Sequence, residues 1–307
     1  MALARTPLCD ADVGTVPAET LPHLPDEPAV SDLQRWREGY RRDRTRRSAA
    51  ISGVSTVVLL LVVGTAIALS PGWSRTKSEF LDRSIARDSF PSILSGLWLN
   101  IRVLVVCAVL IVLVGLAVAS LRTLRGPIWF PVRALAAAYT DIFRGIPLII
   151  LLYIVGFGLP GLRLQDVPTS PVVLGGLALV LTYGAYVAEV FRAGIESVHP
   201  SQRAAARSLG LTYGQTMRRV VLPQAVRRVT PPLLNDFVAL QKDVGLISVL
   251  GAFDAVRNAQ IASDAAFNYT PYMVAGLLFI LLAIPTIRLA DWVTLRAVRR
   301  QQAAGAL

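Results

Sequence analysis

From Ala49 to Leu69 the chain runs without one charged residue, and Val103 to Leu121 does the same. A helix needs about 20 mainly apolar residues to cross the hydrocarbon core of a bilayer, and there every backbone N–H and C=O must be satisfied internally. Such runs commit the chain to a membrane and its spans to helices. The expected class is an all-α integral membrane protein. Further spans are predicted at about Pro147 to Leu162, Pro171 to Phe191, Pro231 to Leu250 and Pro271 to Ala290, and the helix holding Val103 is predicted to begin near Ser92. The segment after Pro231 carries Asn235, Asp236, Gln241, Lys242 and Asp243, so it cannot face lipid along its length. It is predicted to line a pathway or a subunit contact. Composition agrees, with 54% hydrophobic residues and a mean hydropathy of +0.54.

Charge then orients the spans. RWREGYRRDRTRR, just before the first span, holds seven arginines against two acids, which places the N-terminus in the cytoplasm. Six spans return the C-terminus to the same side. The loops from Arg122 to Arg144 and from Arg192 to Arg228 are arginine-rich and come out cytoplasmic too. The loop from Pro71 to Ser89 argues back with Arg75, Lys77, Arg83 and Arg87, softened by Glu79, Asp82 and Asp88. The expected organisation is a disordered, basic-ended tail over 1–48, a transmembrane helix over 49–70, an extracytoplasmic loop over 71–91, a transmembrane domain over 92–295 and a cytoplasmic tail over 296–307. Prolines 7, 17, 22, 25 and 28 without an apolar core read as a tail, not a cleaved signal peptide. The net charge of +11 lacks zinc-ligand spacing or interleaved aromatics, which argues against a nucleic-acid partner. Cys9 and Cys107 are expected in different environments and form no disulfide framework.

Between the fourth and fifth spans lies a polar stretch, QRAAARSLGLTYGQTMRRVVLP, from Gln202 to Pro223. Ser201 is placed to cap a first helix, the alanines leave a low surface for another protein, and Gly210 falls where a left-handed cap should end that helix. A second helix is predicted to start near Thr212. The loop reads as a docking surface or, alternatively, as an amphipathic helix on anionic lipid with Arg203, Arg207, Arg218 and Arg219 toward phosphates.

The spacing of Ala204-Ala205-Ala206, three residues, Gly210, nine residues and Val220-x-Leu222-Pro223 resembles the EAA loop of ABC importer permeases. Tyr139 to Pro147 (YTDIFRGIP), Ala185 to Ile195 (AYVAEVFRAGI), Pro231 to Asn235 and Lys242-Asp243 are similar, in order, to blocks of the polar amino acid uptake family, the histidine, glutamine, glutamate and arginine group. The resemblance covers about Gly96 to Asp291. It implies a five-span type I ABC importer permease core plus one extra N-terminal transmembrane helix, in a prokaryotic inner or plasma membrane. It also implies a coupling loop over 192–228 that meets an ATPase through Gln202, Ala204, Ala205, Arg207, Gly210, Leu222 and Pro223. Implied partners are an ABC ATPase subunit, a second permease subunit, an extracytoplasmic solute-binding protein and membrane lipid. Four positions depart from the pattern: in the loop, Ala204 stands where the glutamate is expected and Ser201 replaces a glycine, and Asp141 in place of a glutamate and Ile146 in place of a threonine are smaller changes.

No Gly-x-x-x-x-Gly-Lys-Ser/Thr cradle occurs, so no cofactor is expected in this chain, and ATP and Mg would be bound by the partner ATPase. Catalytic residues and metal ligands are expected to be absent; His23 lies in the tail and His199 reads as an exposed or capping residue. For the translocation path the candidates are polar groups inside spans: Asn100, Thr182, Tyr186, Glu189, Asn235 and Gln241. Thr182, Tyr186 and Glu189 share a helix face through spacings of four and three. Each also has a plain reading as helix-to-helix bonding, for instance Glu189 with Arg192. The competing functions are an ion-coupled secondary transporter, for which no internal repeat is visible, and a non-transporting membrane scaffold.

Overall fold

The computed structural model describes residues 32–305 apart from 125, 166 and 167. The chain divides into two units, Met1–Pro71 and Gly72–Leu307. The first carries α1 (Asp32–Ala68), whose apolar side chains from Ile51 to Leu69 are exposed, as lipid-facing groups must be. Helix therefore already begins inside the segment expected as a disordered tail; residues 1–31 of that tail lie outside the described residues.

The second unit holds α2 (Trp73–Phe80), α3 (Arg83–Arg122), α4 (Phe130–Gly145), α5 (Leu148–Tyr153), α6 (Leu159–Gly161), α7 (Pro171–Glu196), α8 (Pro200–Ser208), α9 (Tyr213–Thr216), α10 (Leu222–Asp243), α11 (Ala255–Ala266) and α12 (Thr270–Gly305). The segment expected as a loop over 71–91 is thus mostly helical. Asp82 starts α3 early because its carboxylate accepts from the backbone N–H groups of Ser84 and Ile85. By length and apolarity, four helices among the described residues can cross a membrane: Arg47–Ala68, Trp73–Arg122, Pro171–Glu196 and Thr270–Arg296. The pair Pro127–Gly145 and Leu148–Gly161, bent by 106°, passes the same test only when taken together, as one broken span or a re-entrant segment. The bend has a local cause. Ile146, directly before Pro147, is extended at φ −87° and ψ 129°, and proline disfavours helix in the residue before it. The segment expected as a span from Pro231 to Leu250 is not among these candidates; its residues continue α10, which begins at Leu222 with Pro231 and Pro232 inside the helix, and end in a 3-10 segment, Val244–Leu250.

The core sits where α3, α7 and α10 meet. Val103, Leu104, Cys107 and Ile111 pack with Leu179, Val180, Tyr183 and Val187, and with Leu240, Val244 and Ile247. On the other side of α3, Val105, Val106, Val109 and Leu113 are exposed and form its lipid stripe. Without a hydrophobic drive between helices in lipid, close approach depends on small residues. Gly96 makes the closest approach to backbone: a Cβ there would lie 2.4 Å from the backbone carbon of Asp254. Gly96→Ala is expected to lower stability by about 1–3 kcal/mol, since backbone rather than a side-chain tip must move, and thermal unfolding in detergent measures it. Asn100 locks the same contact from a buried position, donating through Nδ2 to Asp254 Oδ2 at 3.0 Å and accepting from the Ala255 N–H at 3.0 Å.

Candidate coupling loop and polar cleft

The loop after α7 is built by its caps. His199, not Ser201, is the N-cap of α8; its Nδ1 accepts from the Ser201 N–H at 3.2 Å because Pro200 occupies the first helical position. Gly210 takes φ +81° just past the helix, with its N–H donating to Arg207 O at 2.9 Å and the Leu211 N–H to Ala206 O at 3.2 Å. Thr212 and Gln215 close a capping box that starts α9. Ala206, Thr216 and Val221 are buried beneath, whereas Gln202, Ala204, Ala205, Arg207, Gly210, Leu222 and Pro223 are exposed. Leu209 is exposed as well, at 82%, so the loop presents an apolar tip in an arginine-rich rim.

Beneath the loop the connections are ionic and polar. Arg203 of α8 donates to Ile195 O and Arg228 of α10 to Ser197 O, so both cations sit on carbonyls at the end of α7. Gln224 Nε2 donates to Gln202 Oε1 at 2.5 Å. Glu189, on α7, accepts from Arg192 at 2.5 Å and from Arg122 at 2.8 Å, and the Arg122 guanidinium also donates to Thr140 Oγ1 on α4 at 3.0 Å. One carboxylate thus ties the end of α3, and through it α4, to the helix that enters the loop.

A cleft of about 430 Å³ opens between α4, α7 and α10, lined among others by Arg144, Pro147, Thr182, Tyr183, Tyr186, Asp236 and Asp243. Thr182 Oγ1 and Asp236 Oδ2 are buried there without a hydrogen-bond partner among the described residues. Tyr183 donates to Asp243 Oδ2 at 2.7 Å, and the Arg144 guanidinium lies 5.5 Å from the centre of the Tyr186 ring. Asp236 also lines a neighbouring, mostly apolar cavity of about 320 Å³ with Ile111, Val187, Leu233 and Phe237.

Of the sequence candidates for a path, Thr182 and Tyr186 line this cleft. The others do not. Asn100 is taken up by Asp254, and Glu189 by its two arginines one turn beyond Tyr186. Asn235 is exposed on α10 while its neighbour Asp236 turns inward. Gln241 is buried with Oε1 accepting from Thr286 Oγ1 at 2.9 Å, a bond between α10 and α12. Sequence reasoning passed over Arg144, reading it as part of a loop. The available signal was Arg144-Gly145-Ile146-Pro147 itself, an interruption of the kind that opens binding sites inside membrane helices.

Residues 128–299 match the family described as binding-protein-dependent transport system inner membrane component. The chain belongs to that family. The arginine transport system permease protein ArtQ of Bacillus subtilis (strain 168) is 36% identical over 207 residues, which are 66% of this chain and 91% of ArtQ. A crystal structure of an amino acid ABC transporter with histidines matches at a TM-score of 0.65 and 31% identity, covering 70% of this chain and 99% of that one. An inward facing form of the MetNI methionine ABC transporter shares the fold, at a TM-score of 0.53 and 20% identity over 67% of this chain and 96% of that one. The chain is therefore a multi-pass membrane permease subunit of an ABC importer, with hydrolysis carried out by a separate ATPase subunit.

Proposed function

We propose that this permease moves a polar amino acid into the cell by alternating access, through the cleft between α4, α7 and α10. The observation that carries this reading is the charge pattern of the cleft. A zwitterion needs a cation for its carboxylate and an acceptor for its ammonium, and Arg144 and Asp236 border the same space, with Asp236 Oδ2 and Thr182 Oγ1 unpartnered. Its volume of about 430 Å³ is within the range of small-molecule sites. The names of ArtQ and of the transporter with histidines support an amino acid as the solute.

The exposed face of α8 and the Leu209–Tyr213 turn dock on the ATPase, where ATP and Mg bind, and carry its closure to the span bundle. That face is cytoplasmic, as are both termini, because the arginines cluster on it. A second permease subunit, identical or related, completes the path, and α1 is an added span. Ala204, exposed on α8, removes one charge from the docking face and favours a partner permease that keeps a glutamate there.

Uptake of labelled amino acids into proteoliposomes carrying the complete transporter tests the cleft. Asp236→Asn is expected to raise the concentration for half-maximal uptake about tenfold or more, the value of a hydrogen bond to a charged group. Unchanged uptake across an amino acid panel would move the path away from this cleft.

A further inference from the structure

Helix α3 is 40 residues long, about 60 Å at 1.5 Å per residue. Its last residue, Arg122, meets Glu189 near the coupling loop, and its first turns meet the turn between α11 and α12. That turn therefore lies at the end of the bundle opposite the coupling loop, the outer face in the orientation proposed above.

Phe267 in this turn is 90% exposed and has φ +48°. Among the described residues, only Arg163 and Phe267 combine a side chain with a positive φ. For Arg163 an exposed position suits a charge. For Phe267 it does not: a bulky side chain is disfavoured in the left-handed region and an aromatic ring is disfavoured in water. A glycine or asparagine would make the same turn without either cost.

The conformation persists because its seat is over-determined. The Asn268 N–H donates to Ser263 O at 3.2 Å, and Ser263 Oγ donates to Asn268 O at 2.7 Å. Asn268 Nδ2 donates to Ser78 O at 2.8 Å, the Tyr269 N–H to Glu79 O at 2.8 Å and the Asp82 N–H to Thr270 Oγ1 at 3.0 Å. These bonds latch α2 and the start of α3 onto the turn. Phe80 stacks on Tyr269 at 5.3 Å, and both rings stay partly exposed beside Leu81. The result is a rigid aromatic knob with exposed Arg75, Lys77, Glu79, Arg83, Arg87 and Asp264 on the elements around it. An aromatic centre with a charged rim is the anatomy of a protein interface, and a strained residue held by its surroundings marks a working one.

We propose that Phe267, with Phe80, Leu81 and Tyr269, is the docking knob for the solute-binding protein on which this family depends. The knob rests on the importer assignment. That assignment is checked independently by whether the wild-type complex shows ATP hydrolysis stimulated by its binding protein.

The test titrates the transporter's own binding protein onto the complete complex in proteoliposomes, reading ATP hydrolysis and uptake. Phe267→Gly is expected to keep or raise the unfolding temperature while weakening half-maximal stimulation about tenfold or more, with the maximal rate recovered at saturation. Phe267→Ala, which keeps the strain and loses the ring, is expected to weaken stimulation equally. Stimulation by the wild-type curve in both variants would overturn the proposal. A second readout separates lipid from protein. In Phe267→Trp, the indole fluorescence gained over wild type, whose five tryptophans set the background, is expected to change on adding binding protein and to be insensitive to brominated phospholipid. Quenching by that lipid with no response to binding protein would make the knob a membrane anchor and overturn the docking role.

Discussion

Gly210→Pro is expected to remove binding-protein-stimulated ATP hydrolysis and uptake together, by about a hundredfold, from complexes that still assemble. The argument is confined to backbone. Gly210 holds φ +81°, and nothing lies within 4 Å of a Cβ built there, so side-chain volume is not the issue. Proline fixes φ near −65° and deletes the N–H that bonds Arg207 O, at a cost of about 3 kcal/mol, which is about a hundredfold. The turn then reopens, and the exposed tip at Leu209 and the capping box at Thr212 lose their relation. Gly210→Asn, which tolerates the left-handed region, is expected to retain most activity. Assembly is followed by co-purification of the ATPase, and both rates in proteoliposomes. Uptake that continues unchanged in Gly210→Pro would remove the docking role from this loop.

The features legible in the sequence were those set by local chemistry. The caps around Gly210 and Thr212 follow from which residues tolerate a left-handed turn or accept a backbone N–H, and uncharged runs mark spans because lipid admits nothing else. His199, legible as an exposed or capping residue, is the cap, whereas Ser201 is not, because Pro200 occupies the first position of α8. Polar residues inside spans were found as a class, yet their partners decide their roles. Asn100 is satisfied by Asp254, 154 positions away, and Gln241 meets Thr286 on α12 through Oε1 while its Nε2 is buried without a partner among the described residues, pairings that no spacing rule reaches. Asp236 and Asn235 are adjacent with similar composition-level signals, and only the packing of α10 against α7 turns one into the cleft and leaves the other outside. The 106° break that brings Arg144 to the cleft is written in Ile146-Pro147, where proline forces the residue before it out of the helix.

Glu189→Gln is expected to uncouple the transporter, with ATP consumed per solute imported rising about tenfold or more while the ATPase still co-purifies. Glu189 is the common acceptor for Arg122 and Arg192, and Arg122 reaches on to Thr140, so the carboxylate joins α3, α4 and α7 just before the coupling loop. Arg203 ties α8 to the same end of α7. Amide replacement leaves Arg122 without its counter-charge, while Arg192 keeps Glu196. The side chains keep 18% to 27% exposure, so the loss of stability is expected to be roughly 1–3 kcal/mol, below that of a fully buried pair. A structural loss alone would lower both rates in proportion. A junction that transmits movement changes their ratio. Arg122→Gln should raise the ratio similarly, and the double variant should be no worse than either single, because both act through one bond. Additive effects in that cycle, or an unchanged ratio with a lowered unfolding temperature, would reduce the cluster to a staple. Non-additivity would assign α4, and with it Arg144 at the cleft, to the path by which movement of the loop reaches the solute.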